Sequence, residues 1–132
     1  MRPGQRLALC LALGLAPLQA AALDCAEPVT TADMSACARA ELDAADTALN
    51  LAWKAALAHA EELDSYLSEG EEKTADALLT AQRAWIDYRD GQCEGEGFYA
   101  RGGSLEPLLV ATCKARMTRE RTEELRTLIE VN

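Results

Sequence analysis

The sequence predicts an all-α fold, a small antiparallel bundle of about three helices with a long first helix, stapled at one pole by two disulfides. Apolar and small residues recur at three-and-four spacing in three long segments. Glycine-containing segments separate them, and no segment alternates as a strand would. The chain is long enough for one domain with one core, which we expect to span residues 23–132.

Residues 1–22 have the features of a signal peptide. Arg2 and Arg6 give a positive start, an apolar run follows from Leu7 to Leu18, and residues 20–22 supply a small-residue cleavage site. The run is too short for a confident membrane span. We therefore expect cleavage after Ala22 and an exported protein, periplasmic or secreted, that is not embedded in a membrane.

A lipid anchor is not expected. Cys10 follows Leu9 and Cys25 follows Asp24, so neither cysteine has the small preceding residue of a lipid-acceptor site.

The predicted mature chain is strongly acidic. Loss of Arg2 and Arg6 leaves 11 basic and 22 acidic residues, a net charge of −11. Nucleic acids and anionic membranes are therefore unsuitable partners. The acidity favours either a cationic partner protein or a role in solubility alone.

Four cysteines remain after cleavage: Cys25, Cys37, Cys93 and Cys113. In a short exported chain they indicate two disulfides, each worth roughly 3 to 4.5 kcal/mol on the loop-entropy model. A zinc site would need closer spacing than the sequence offers. Helix geometry does not choose among the three pairings, although Cys37–Cys113 with Cys25–Cys93 is slightly favoured.

Three helices are expected, from about 32 to 67, 71 to 92 and 105 to 128. Thr30 or Thr31 is a suitable N-cap for the first and Ser104 for the third. The segment "SEGEEK", residues 68–73, should form a tight turn. The glycine-rich segment "CEGEGFYARGGS", residues 93–104, should form a mobile loop.

Polar residues fall on the apolar face of the second helix. If this helix runs antiparallel to the first and Cys93 lies level with Cys37, Arg89 should meet Glu41. A desolvated arginine needs such a partner. The same register places Gln82 beside Asn50, and Arg121 on the inner side of the third helix is a further planar donor.

No constellation of catalytic or metal-binding residues stands out. His59, the one histidine, has no cysteine or second histidine nearby. Asp87 and Asp90 lie on one helix rather than across a cleft, and Asp87 should pair with Arg83 four residues earlier. We therefore expect no enzymatic activity, no cofactor and no metal.

The loop at 93–104 is the better candidate for a binding site. It displays Tyr99, Arg101 and Ser104 beside a predicted disulfide, and loops held on rigid scaffolds concentrate binding residues. The alternative is a simple connector whose aromatic residues cover the end of the core.

Several segments together resemble the LprI-type family of exported, lysozyme-inhibitor-like domains. The most specific is "AQRAWIDYRDGQC" at 81–93, flanked by the cysteines. It is accompanied by "LNLAW" at 49–53, "GGS" at 102–104 and "MTRERTEEL" at 117–125.

The resemblance implies a small helical, disulfide-bonded, exported domain with lysozyme-inhibiting activity. A basic lysozyme-like protein is then the expected partner, and the hypothesis is that Tyr99, Arg101 and Ser104 plug its cleft. The alternative is a non-enzymatic envelope or extracellular interaction module with a different partner.

Overall fold

The computed structural model describes residues 23–130 and contains three long helices within them. These are α1 (Thr31–Asp64), α2 (Thr74–Gly97) and α3 (Glu106–Glu130), with a single 3-10 turn, η1 (Phe98–Ala100), between α2 and α3. No strand occurs between residues 23 and 130. The predicted all-α fold is therefore confirmed, whereas the predicted signal peptide lies outside the described residues.

The start of α1 is fixed by its first turn. Thr30 is the N-cap: its hydroxyl accepts the Asp33 N–H, and the Asp33 carboxylate accepts the Thr30 N–H. This reciprocal capping box satisfies two N–H groups that would otherwise lack partners.

The α1–α2 connection is closed by a single carboxylate. Asp64, the last residue of α1, accepts the N–H groups of Thr74 and Ala75 at 2.7 and 3.0 Å. These are the first two residues of α2, where N–H groups have no partner inside the helix. Asp64 therefore ties the end of one helix to the start of the next, which fixes their antiparallel arrangement.

The second helix is longer than predicted. Residues 93–97, expected to belong to a loop, form the last turn of α2 despite Gly95 and Gly97. Glycine weakens a helix interior by roughly 0.5–1 kcal/mol, which the packing and covalent anchoring of this turn offset.

The parallel pair α1 and α3 forms the most extensive interface of the bundle. Small residues on both helices allow this close approach, with Leu125 fully buried beside Leu49, Ala52 and Ala56. Trp53, Leu78, Trp85 and Ile129 pack around this cluster. The core thus runs along α1 and α3, with α2 covering one side.

Two disulfides are present, as predicted, but the favoured pairing was wrong. The bonds join Cys25 to Cys37 and Cys93 to Cys113. Cys25 lies in the extended lead-in, which folds back onto the first turns of α1. Cys93 and Cys113 face each other across the antiparallel α2–α3 hairpin, so each cysteine bonds to its nearest neighbour along the chain.

Both bonds lie in the half of the bundle where α1 and α3 begin and α2 ends. We call this the disulfide pole, and the end where α1 turns into α2 the turn pole.

Candidate functional site

The segment that protrudes from the disulfide pole runs from Phe98 to Ser104 and is called the tip loop below. Tyr99 at its apex is 92% exposed. The Arg101 guanidinium carbon lies 3.7 Å from the centre of the Phe98 ring, a cation–π contact. Ser104 is also exposed. All three residues predicted for partner binding are therefore exposed on this one short segment.

The tip loop, for which the glycines predicted mobility, is a hydrogen-bonded turn in the structure. The Arg101 N–H donates to the Phe98 carbonyl, and the Gly103 N–H donates to the Ala100 carbonyl at 2.8 Å. Gly102 has φ of +76°, which favours glycine, and its N–H donates to Glu106 Oε2 at 2.6 Å. Gly102 is therefore required by the backbone conformation of the turn.

A close contact between α2 and α3 anchors the base of the tip loop. A Cβ atom added to Gly97 would lie 2.5 Å from Val110 Cγ2. Because glycine has no side chain, the end of α2 approaches α3 at this point.

The Cys93–Cys113 disulfide adds a covalent anchor near this contact. Cys93 and Cys113 are almost completely buried, and the Met117 sulfur lies 3.6 and 3.9 Å from their sulfur atoms. The disulfide and the Gly97–Val110 contact thus join α2 and α3, the two helices that the tip loop connects.

Arg89 forms the principal buried polar contact, but not with the predicted partner. Its Nη1 donates to Asp46 Oδ1 and to Thr118 Oγ1, both at 3.0 Å, and its Nε donates to Asp90 Oδ1 at 3.0 Å. Glu41, the predicted partner, is exposed and lies 3.7 Å from Arg119 instead.

Glu41 was predicted as the partner of Arg89 because the assumed register between α1 and α2 was wrong. Arg89 lies level with Asp46, five residues further along α1 than Glu41, because Cys93 bonds to α3 and so does not fix the position of α2 on α1.

Gln82 also has a different partner from the one expected. Its side-chain oxygen accepts a hydrogen bond from Arg121 Nε at 3.0 Å, so the amide links α2 to α3 rather than to Asn50 on α1. Arg121 lies on the inner side of α3, as predicted, and its Nη1 donates to Glu124 at 2.7 Å. The predicted Arg83–Asp87 pair is not among the ion pairs formed by residues 23–130.

The Asp90 carboxylate links Arg89 to Lys114 on α3. Its Oδ1 also lies 3.0 Å from Lys114 Nζ. Partial burial raises the pKa of Asp90, but the hydrogen bonds from Lys114 and Arg89 and their positive charges lower it more, so the pKa of Asp90 lies below its ordinary value. This carboxylate therefore remains charged at neutral pH.

Sequence reasoning missed Asp46, Thr118 and Lys114 as members of this network. Asp46 falls five residues after Glu41 on α1, so only the correct register could have identified it. Thr118 lies on the apolar seam of α3 one residue after Met117. A hydroxyl in that position is a signal for a buried polar partner.

No group of three or more histidine, cysteine or acidic side chains between residues 23 and 130 is placed to hold a metal ion. None of the helices in this range is long and apolar enough to cross a bilayer. The buried polar groups described above are paired with one another and hold helices together.

The fold and this site define a small, disulfide-bonded three-helix domain with an exposed, hydrogen-bonded loop at one pole. The family model described as "Lysozyme inhibitor LprI" matches residues 24–125, so the chain belongs to the LprI family. The resemblance drawn from the sequence motifs is thereby confirmed.

A relative from Rhizobium meliloti (strain 1021), described as "Uncharacterized protein R02472", is 46% identical over 110 residues. The match covers 81% of this chain and 79% of the relative. No solved structure matches this chain.

Proposed function

We propose that this protein is an exported binding protein that inhibits lysozyme-like glycosidases by occluding their catalytic cleft, without catalysis of its own. The observation that carries the proposal is the tip loop, an exposed and internally hydrogen-bonded turn on an acidic domain of the LprI family.

The tip loop has the chemistry of a cleft-binding plug. Glycosidases of this kind act through two carboxyl groups in a cleft. Arg101 makes no ion pair with any described residue, so its charge is available to a partner's carboxylates. Tyr99 adds a large aromatic surface, and the fixed turn keeps the entropy lost on binding small.

The net negative charge of the domain favours association with such an enzyme. Animal-type lysozymes are strongly basic, whereas this chain carries a formal net charge of −9. Opposite net charges accelerate association more than they strengthen the final complex, and salt screens the effect. Inhibition should therefore be reached faster at low salt, while the inhibited level depends mainly on the tip loop.

The direct test is a turbidity assay. Purified protein beginning at residue 23 is titrated into an animal-type lysozyme acting on bacterial cell walls, at low and at moderate salt. Saturable inhibition under either condition supports the proposal. Unchanged lysis at both salt concentrations would overturn it and favour an interaction module with a different partner.

A further inference from the structure

A second surface lies at the turn pole, at the other end of the bundle from the tip loop. A groove of about 380 Å³ opens there between α1 and α2. Its walls include Ala60 and Leu63 from α1 and Ala77, Leu78 and Ala81 from α2, with Leu128 from α3. Alanines on both helices leave the groove open because their side chains are too short to fill the space between the backbones.

The surroundings of this groove are apolar and accessible. Leu63 and Leu128, which both line the groove, are more than a third exposed. Exposed apolar residues scattered singly are ordinary, but a contiguous set lining a groove is typical of an interaction site.

An acidic depression adjoins the groove. It is lined by Glu71, Glu72, Lys73 and Asp76, and it shares Ala77 and Ala81 with the groove. Residues 61–76 contain seven acidic residues against one lysine. The Glu72 and Asp76 carboxylates form no ion pair with described residues, and three acidic side chains against Lys73 leave the depression with a net negative charge.

We propose that this combined surface binds a basic amphipathic segment of a partner protein. An apolar side chain of the segment would enter the groove, while lysine or arginine residues on its flank would lie over Glu72 and Asp76. Helices that dock in grooves present apolar residues on one face in this way. The proposal goes beyond the inhibitory function, because the surface lies at the pole opposite the tip loop.

The acidic charge of this surface favours a basic segment over a second copy of the chain as the bound partner. A symmetric dimer through the groove would bring two identical acidic surfaces together, which is unfavourable. A basic amphipathic segment complements both parts of the surface, because its apolar side chains fit the walls of the groove and its cations pair with the acidic residues beside it.

The experiment uses a fluorescein-labelled helical peptide of leucine and lysine with its leucines on one face. A scrambled peptide of identical composition is the control, and binding to protein beginning at residue 23 is followed by fluorescence anisotropy. Ala77→Lys places a cation inside the groove. Ala55→Lys makes the same charge change at an exposed position of α1 outside the groove. Circular dichroism checks that both variants keep their helices.

We expect the amphipathic peptide to bind at least about ten-fold more tightly than the scrambled peptide, because only the former can use the groove. Ala77→Lys should weaken binding about ten-fold or more, and Ala55→Lys by much less.

Equal binding of the two peptides, or equal effects of the two lysine variants, would show purely electrostatic attraction and overturn the proposal. A dimer detected by sedimentation and abolished only by Ala77→Lys would also overturn it, since the occupant would then be a second copy. The lysozyme assay is independent of these results because the tip loop is unchanged in both variants.

Discussion

Arg89 and Asp46 form a 3.0 Å ion pair between α2 and α1, and the Thr118 hydroxyl on α3 joins it. One guanidinium therefore connects all three helices. The Arg89 side chain is only 13% exposed, whereas Asp46 is 42% exposed. The same guanidinium lies 5.2 Å from the centre of the Trp85 ring, which links the polar contact to the apolar core.

Replacement of Arg89 by alanine should destabilise the fold. The fully buried Thr118 hydroxyl would lose a donor, but Asp46 could recover water, so we expect a loss of about 1–3 kcal/mol in the free energy of unfolding. Urea denaturation measures this loss. Glu41→Ala, at the site first predicted as the partner, should cost no more than about 1 kcal/mol because its ion pair is exposed. A larger effect at Glu41 than at Arg89 would contradict the observed register.

Asp64 should make stability dependent on pH in the acidic range. Burial raises the pKa of Asp64, but hydrogen bonds from Ala75 and Thr74 and the charge of Lys73 lower it more, so the folded-state pKa is depressed. The stabilisation is then fully present above the unfolded pKa of about 3.9 and is lost as pH falls through the folded pKa.

Asp64→Asn should therefore lower the melting temperature at about pH 5, and the difference from the natural protein should shrink towards about pH 2. Asp43→Asn is a matched control, because the Asp43 carboxylate forms no hydrogen bond or ion pair with described residues. Thermal unfolding followed by circular dichroism at several pH values tests this. A pH-independent difference for Asp64→Asn would show that its charge does not stabilise the start of α2.

The tip loop variant tests the inhibitory site itself. Replacing Tyr99, Arg101 and Ser104 together by alanine should abolish inhibition in the turbidity assay, since these side chains form the proposed plug. The melting temperature should change little, because all three side chains are exposed and the cation–π contact of Arg101 with Phe98 lies at the surface.

A matched triple variant separates the site from general surface effects. Tyr88→Ala with Arg83→Ala and Ser68→Ala removes the same three side-chain types from exposed positions outside the tip loop. It should retain full inhibition. If both triple variants inhibit equally well, the plug is located elsewhere on the domain.

Local sequence patterns predicted the helices better than their contacts. The three-and-four spacing identified all three helices, and it correctly placed Arg89, Gln82 and Arg121 on inner faces. Their partners were wrong because partner identity depends on the register between helices. That register is set by non-local contacts such as Asp64 with Thr74, which no periodicity reveals.

The tip loop shows a second limit. Its glycines indicated mobility, since composition alone cannot distinguish a flexible glycine from one required by geometry. Gly102 in the loop is needed for its positive φ, and Gly97, just before the loop at the end of α2, is needed for the close approach of Val110. Glycines that are required by geometry can be recognised only once the position of α3 and the Cys93–Cys113 bond are known.

Gly95 and Gly97 provide a matched pair for the last prediction. Both lie in the final turn of α2, but a Cβ on Gly95 would meet no atom within 4 Å, whereas one on Gly97 would lie 2.5 Å from Val110 Cγ2. Gly95→Ala should stabilise the protein by about 0.5–1 kcal/mol, because alanine is the better helix former.

Gly97→Ala should instead destabilise it by about 1–3 kcal/mol, because Val110 or the helix end must move. Urea denaturation gives both values, and the opposite signs are the result to check. Since Gly97 supports the base of the tip loop, Gly97→Ala should also weaken lysozyme inhibition, whereas Gly95→Ala should leave it unchanged. Two stabilising substitutions would show that Val110 yields easily and that α2 and α3 are not held together by this contact.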